Sequence, residues 1–460
     1  MRNSAALILG SLLFVAPLAW AGDGGHVIVA QSRALTLKDC IALALDESPV
    51  LEASRLDVAS ATEEARAARG QALPQITASA GYQLFSGSPT SKFSIVDTGV
   101  TGSGGGIGVS ANRTVDLGAV QIYSAHLSYP LFRDGSILGL NTGPAEAGKL
   151  ARRRNLAWTS RLRREDVIAR ITDAYISTVS AENRAGFAER RVKLLGQQVE
   201  ITQEQEKQGL TLPIDLKLAR SQLSGANTLS KILRQQAIAG RIEMARALGF
   251  TSPGELHLSD ELPEPPEPPS AELLLGHSLD QHPSLQVQRA VIDQAKEDYR
   301  LERFRLYPSV TLQGSAVHID DFSPSGAEVY SGAVAVNVPV FDFGAQISTT
   351  RAKRSKYEAE RTRLSAVTDD VTFEIVNIYQ SIYVLSQNIL SLQQEVAKAD
   401  RDLQVTGSQQ QQGMTPPLTA IEKELHLISK RDDLDGLQVR RLMLYAALQK
   451  AAGGAWKWIQ

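Results

Sequence analysis

"LSYPLFRDG", residues 127–135, and "VNVPVFDFG", residues 336–344, share one phrase, Pro-x-Phe-x-x-Gly, at the end of an alternating run of residues. The two prolines, Pro130 and Pro339, stand 209 positions apart. Proline cannot donate to a central sheet ladder, so each phrase reads as the place where a strand stops. Phe132 and Phe341 follow the prolines. Gly135 and Gly344 read as the points where the backbone turns from strand into helix.

The duplication extends outward from these phrases. "SPVLEASRLDVASATEEARAARGQALPQI" (48–76) aligns with "HPSLQVQRAVIDQAKEDYRLERFRLYPSV" (282–310) at a constant offset of 234, pairing Pro49 with Pro283 and Pro74 with Pro308. Further on, "QGLTLP" (208–213) matches "QGMTPP" (412–417) at offset 204. Self-similarity at this scale marks a chain built from two copies of one unit. The reading is a first repeat over residues 22–250, a Pro-rich linker over 251–270 containing "LPEPPEPPS", and a second repeat over 271–460. The first copy carries 25 extra residues between its strands, including "GSGGGIG" (Gly102–Gly108). No P-loop lysine follows that stretch, so it reads as an external loop.

Each copy is predicted to run helix, two strands, then a long helical hairpin. The first helices span about Thr36–Gly70 and Ser270–Leu306, and Pro74 and Pro308 end them. The strands alternate with period two. Ile76, Ala78, Ala80 and Tyr82 face opposite Gln75, Thr77, Ser79 and Gly81, and Val334, Val336 and Val338 face opposite Ala333, Ala335 and Asn337. The long helices carry a different period. Val371, Ile375, Ile378, Ile382, Leu385 and Ile389 alternate spacings of 4 and 3, as do Val167, Ile171, Ala174, Thr178, Ala181 and Ala185, with smaller side chains. A 3.5-residue repeat sustained this far is the mark of coiled-coil packing, here about 100 Å long.

Composition narrows the function. Forty-eight Lys+Arg against 50 Asp+Glu leave a net charge of −2, no electrostatic footprint for nucleic acid. The single cysteine, Cys40, excludes an internal disulfide and reads as a small buried apolar residue. "MRNSAALILGSLLFVAPLAWAG" reads as an export signal with cleavage after Ala21, so residues 1–21 leave the mature chain. No later stretch approaches the ~18 apolar residues of a spanning helix. A chain that crosses a membrane without one must do so as a β-barrel. No nucleophile–base constellation stands out, and the seven histidines form no ligand pair, so the sequence reads as no enzyme, with no metal and no cofactor. His126 and His318 fall on the non-lipid face or at a strand end.

The duplicated helix–Pro–strand junctions "ALPQITASAGY" and "LYPSVTLQGSA", the strand ends above, the hairpin tips "GLTLPIDLKLA" and "GMTPPLTAIEKE" and the closing "ALQKAAGGAW" together resemble the TolC-like outer-membrane efflux proteins. The resemblance covers essentially the whole mature chain. It implies an α+β membrane protein: a homotrimer whose 12-stranded β-barrel, four strands per chain, sits in outer-membrane lipid and continues as a long periplasmic α-helical coiled-coil barrel. It further implies the exit duct of a tripartite efflux or type I secretion system, docked to a periplasmic adaptor and an inner-membrane pump of RND or ABC type. Barrel geometry points to the same stoichiometry. Four strands cannot close, eight fill their own interior with side chains, and twelve leave a lumen. The other reading the residues allow is a soluble periplasmic coiled-coil scaffold.

Site residues follow from the same resemblance. The tips, Gly209, Leu210, Thr211 and Pro213 with Gly413, Met414, Thr415 and Pro417, align with the family's adaptor-docking position. Asp215 aligns with an aspartate that helps hold the periplasmic gate closed, and Glu422 with a carboxylate ringing the narrowest opening. The chain departs from the pattern at Gln410, Thr415 and Thr419, where a tyrosine, an arginine and a second ring carboxylate are expected.

Overall fold

The computed structural model describes residues 34–84, 93–94, 112–113, 119–249, 257–259, 262, 265–320, 327–456 and 458. The signal at 1–21 and the glycine-rich Gly102–Gly108 lie outside the described residues. In chain order the elements are α1 (Leu37–Glu47), α2 (Pro49–Gly70), β1 (Gln75–Leu84), the short pair β2 (Phe93–Ser94) and β3 (Asn112–Arg113), β4 (Ala119–Arg133), β5 (Ser136–Ile137), α3 (Pro144–Lys207), α4 (Pro213–Ala247), α5 (Ala271–Gln281), α6 (Pro283–Phe304), β6 (Ser309–Asp320), β7 (Ala327–Asn337), α7 (Ala345–Gln411) and α8 (Pro417–Ala451).

The helix read over Thr36–Gly70 is two helices. Thr36 opens α1 with a capping box, its backbone N–H donating to the Asp39 carboxylate at 3.0 Å. The chain breaks at Ser48 because Pro49 occupies the first position of α2 and pushes its predecessor out of the helical region, to φ −70°, ψ 114°. The second copy breaks the same way at His282, before Pro283. The resulting helices match in length, 11 residues for α1 and α5, 22 for α2 and α6. Strands begin one residue after Pro74 and Pro308, where the sequence places them.

The main sheet is antiparallel, in the order β1-β4-β6-β7, so the first repeat's strands pair with the second's through β4 and β6. Its register aligns Ile76 with Leu127, Leu127 with Gly314, and Leu312 with Val334. The apolar set of every strand therefore lies on one face.

The two Pro-x-Phe phrases do not do the same job. Pro339 and Phe341 follow the end of β7, and Gly344, at φ 80°, is the N-cap of α7. Pro130 instead sits inside β4, where the ladder to β6 slips between Pro130 and Phe132. A bulge absorbs the missing donor and lets the strand run on. Asp134 and Gly135 are both left-handed, at φ 54° and 81°, forming a two-residue reversal into β5. Asp-Gly is the preferred pair for such a turn. Gly135 thus turns a hairpin, not a helix entry, and α3 starts nine residues later at Pro144. A methyl group on Gly135 would lie 2.6 Å from the Phe304 ring.

The hairpin helices are as long as their period implies: α3 has 64 residues and α7 has 67, about 100 Å each. Val371, Ile375, Ile382, Leu385 and Ile389 are buried, as are Val167, Ile171, Thr178 and Ala185. The small side chains of the first copy permit close approach: at Gly240 of α4 an added methyl would stand 3.3 Å from the Thr178 Cα. The repeats join through α3 and α8, where Leu194 meets Ile421 and Ile428 and Lys450 pairs with Asp166 at 2.9 Å. Cys40 is fully buried, and burial pushes its thiol up to about 12.

The stretch read as a linker is partly docked. Leu35 N–H donates to the His257 carbonyl at 2.8 Å, Leu258 bridges to Leu35, and the Tyr175 hydroxyl donates to the Ser259 carbonyl at 2.9 Å. Leu258 and Leu262 give this polar segment an apolar footing on the core.

Candidate functional site

The sheet presents two chemically distinct faces. On one, Ile76 is 77% exposed, Tyr330 75% and Val336 60%. Aqueous exposure of a whole apolar face is unfavourable at about 25 cal/mol per Å², whereas lipid contact removes that penalty. On the other face Ser79 meets Ser124, and Ser315 meets Ser331, each pair at 2.7 Å between hydroxyl oxygens. Along the middle of β4 and the end of β7, side chains on this second face are the less exposed: Ser124 and His126 are half-buried while Tyr123, Ala125 and Leu127 are exposed, and Ala333 and Ala335 are half-buried beside exposed Val334 and Val336; on β1 both faces are exposed and on β6 most residues of both are half-buried. His126 lies on the hydroxyl face. His318 lies on the apolar face near the end of β6, ring to ring with Tyr123 at 6.3 Å and 3.8 Å from the Glu328 carboxylate.

Both hairpin tips are built alike. At the first, Gly209 is left-handed at φ 73°, Leu210 N–H donates to the Gln205 carbonyl at 2.8 Å and Gly209 N–H to the Glu206 carbonyl at 3.0 Å. At the second, Gly413 has φ 72°, Met414 N–H donates to the Gln409 carbonyl and Gly413 N–H to the Gln410 carbonyl, both at 2.9 Å. These paired bonds are the Schellman helix ending. Pro213 and Pro417 then open the return helices at their first positions, where a missing N–H costs nothing. The tips lift apolar side chains into solvent: Leu210 is 71% exposed and Met414 72%.

The two tips differ in one respect. The Asp215 carboxylate accepts from the Thr211 hydroxyl at 2.9 Å and from the Leu212 N–H at 3.2 Å, so it caps α4 from within its first turn. Thr-x-x-x-Asp astride Pro213 carried that signal in the sequence. Thr419 occupies the matching place in α8, and Thr415 reaches the Gln409 side chain at 3.3 Å instead. Glu422 is exposed on α8, five residues past Pro417.

A belt of ion pairs between the sheet and the tips was not legible beforehand. Lys149 and Arg152 both reach Glu64, at 2.8 and 3.0 Å, and Arg163 reaches Asp57 at 3.2 Å, tying α3 to α2. Glu302 and Glu360 are buried but satisfied, by Arg305 with Gln346 and by Arg363 with Gln288. The α2–α3 pairs join different helices and leave no local pattern to read, whereas Arg305 and Arg363 stand three residues from Glu302 and Glu360. Among the described residues no group of His, Cys, Asp and Glu could hold a metal ion, and no helix is long and apolar enough to cross a membrane.

Four strands with an apolar face and a hydroxyl face, carried on helical hairpins whose longer arms run about 100 Å, define the class: a protein of the outer-membrane channel fold. Residues 274–454 match the family model described as outer membrane efflux protein. The outer membrane protein TolC of Vibrio cholerae is 22% identical over 403 residues, 86% of this chain and 85% of that one. Among solved structures, the outer membrane protein VceC of Vibrio cholerae superposes with a TM-score of 0.71 at 17% identity, over 92% of this chain and 97% of that one. The open-state MtrE outer membrane channel of Neisseria gonorrhoeae gives 0.70 at 18% identity, over 91% and 89%. Over residues 274–454 the chain matches the outer-membrane efflux family, and over most of its length it is similar to TolC-like outer-membrane efflux proteins.

Proposed function

We propose that the protein is the outer-membrane exit duct of a tripartite efflux or type I secretion system, and that it works as a homotrimer. Three chains supply twelve strands, a count that closes with a lumen. The single observation that carries the reading is the apolar face of the sheet, continuous across all four strands, exposed on β1, β7 and much of β4, and joined to helical hairpins far longer than a compact domain uses. A soluble periplasmic scaffold would have no occupant for that face.

In this reading the apolar face meets lipid, the hydroxyl face lines the pore, and the helices enclose a periplasmic tunnel. The tips, with Leu210 and Met414 at their ends, seat a periplasmic adaptor that links the duct to an inner-membrane pump of RND or ABC type. Three copies of Glu422 ring the tunnel's narrow end and favour cations. Asp215 shapes the same end by fixing the start of α4. Density-gradient separation of cell envelopes tests the reading. The protein is expected in the outer-membrane fraction, extracted only by detergent, and its deletion is expected to block export by the partner pump. Release with the soluble periplasm would favour the scaffold instead.

A further inference from the structure

The hydroxyl face of the sheet carries one titratable side chain per chain among the described residues. Along β1 this face is Gln75, Thr77, Ser79 and Gly81. Along β6 it is Thr311, Gln313, Ser315 and Val317, and along β7 Val329, Ser331, Ala333 and Ala335. On β4 it is Ile122, Ser124, His126 and Ser128. His126 is flanked directly by Thr77 and Ser315, and its Nε2 lies 3.1 Å from the Ser124 hydroxyl. The charged and titratable groups of the surrounding strands lie elsewhere. Tyr82, Tyr123, His318, Asp320, Glu328 and Tyr330 alternate onto the apolar face, and Arg133 lies beyond the bulge at the foot of β4.

We propose that His126 determines the ion selectivity of the barrel: the wall is uncharged when the imidazole is neutral and becomes anion-favouring when it is protonated. The inference rests on the reading of the protein as a trimeric duct with the hydroxyl face inward. Histidine is the side chain whose charge changes between about pH 5 and pH 8. Among the described residues, the hydroxyls, amides and apolar groups of this face include no carboxylate to neutralise the new charge.

Geometry sets the size of the effect. Twelve strands at ~4.8 Å spacing and ~40° tilt give a backbone radius of ~12 Å, so three imidazolium groups would stand roughly 7 Å from the axis. In water, three such charges enrich anions on the axis about tenfold at ~10 mM ionic strength, where the Debye length of ~30 Å exceeds the radius. At ~150 mM the enrichment falls to about threefold. The contribution is thus largest in dilute surroundings and adds to whatever selectivity the tunnel end imposes.

The test is the reversal potential of the detergent-extracted full-length protein in planar phosphatidylcholine bilayers, under a KCl gradient near 10 mM, at about pH 8 and about pH 5.5. The wild type is expected to lose at least about threefold in cation-over-anion permeability on acidification. His126→Gln should flatten that change. His318→Gln, which alters the other face, should keep it. The same pH step in His126→Gln carries every other titrating group, so the difference isolates one residue. Should that variant fail to assemble, His126→Ser, which continues the serine row of β4, is read in its place. Well-formed channels with pH-independent selectivity, or a full shift retained without His126, would overturn this proposal alone. A wild type that forms no channel would overturn the duct reading with it.

Discussion

His282 shows how much one side chain carries where the two short helices of the second repeat meet. It is buried, its Nδ1 accepts from the Ser284 N–H at 3.1 Å, and its Nε2–H donates to the Ala451 carbonyl at 3.0 Å. That pattern needs the neutral ring, because a proton on Nδ1 would face another donor. Burial holds its pKa below the ordinary histidine value, with the Ala451 carbonyl acting the other way. The folded state therefore binds fewer protons than the unfolded chain, so stability falls as pH drops through the unfolded value of about 6.5 toward the folded one, and is level above it. Thermal melts across that window should show the decline in the wild type and a flatter profile in His282→Gln, whose amide offers the same acceptor and donor without titrating. An unchanged profile would remove His282 from the account. Gly453 packs against the same junction, left-handed at φ 62°, and a methyl there would lie 2.5 Å from Pro283 Cδ. Gly453→Ala should cost ~2–4 kcal/mol, read from the melt. The closing "GGAW" was visible in the sequence as a motif, but its contact is with a residue about 170 positions earlier, and no local pattern encodes that. The prolines were legible for the opposite reason: the constraint on residues 48 and 282 comes from the next residue in the chain. Even so, reading 36–70 as one helix overlooked Pro49, whose ring excludes the helical region for Ser48.

Among the elements, the strands and the tips make separable predictions. Val336 lies on the apolar face and Ala335 on the hydroxyl face, paired with Val310 and Thr311. An arginine on the apolar face costs ~2–4 kcal/mol at the bilayer midplane and less toward the rim, so Val336→Arg, one residue from the end of β7, should cost toward the lower end and reduce assembly in the outer membrane, while Ala335→Arg should assemble and change conductance. Equal behaviour of the two, by heat-modifiability on gels and by bilayer recording, would contradict the assignment of faces. Charged replacements at Leu210 and Met414 together should stop export yet leave assembled protein in the membrane, because Gly209 and Gly413, not these side chains, hold the turns. Normal export by that double variant would sink the docking reading. Asp215→Ala removes a helix cap worth about 1 kcal/mol and should change conductance only modestly, whereas Glu422→Gln should lower cation selectivity at low salt. Period told strand from hairpin helix throughout, because face alternation and coiled-coil seams are properties of each element alone. The bulge at Pro130 was not legible: the same Pro-x-Phe-x-x-Gly ends a strand at Pro339 and kinks one at Pro130, and only pairing with Thr311 and Val310 distinguishes them.

For the whole molecule, the two repeats become one body through the β4–β6 ladder and the α3–α8 seam, and neither join is visible in either repeat by itself. The outer strands β1 and β7 are left with one unpaired edge each in a single chain. Long edge strands are an association surface, and closing them β7 to β1 around a threefold axis pairs every edge while hiding no part of the apolar face from lipid. Closure is thus the claim on which the duct, the pore-facing hydroxyls and the tunnel all depend. The native mass of the particle extracted from outer membranes in detergent tests it most directly. Three chains per particle is the predicted result; a monomer, a dimer or a soluble periplasmic species as the sole form would contradict the account.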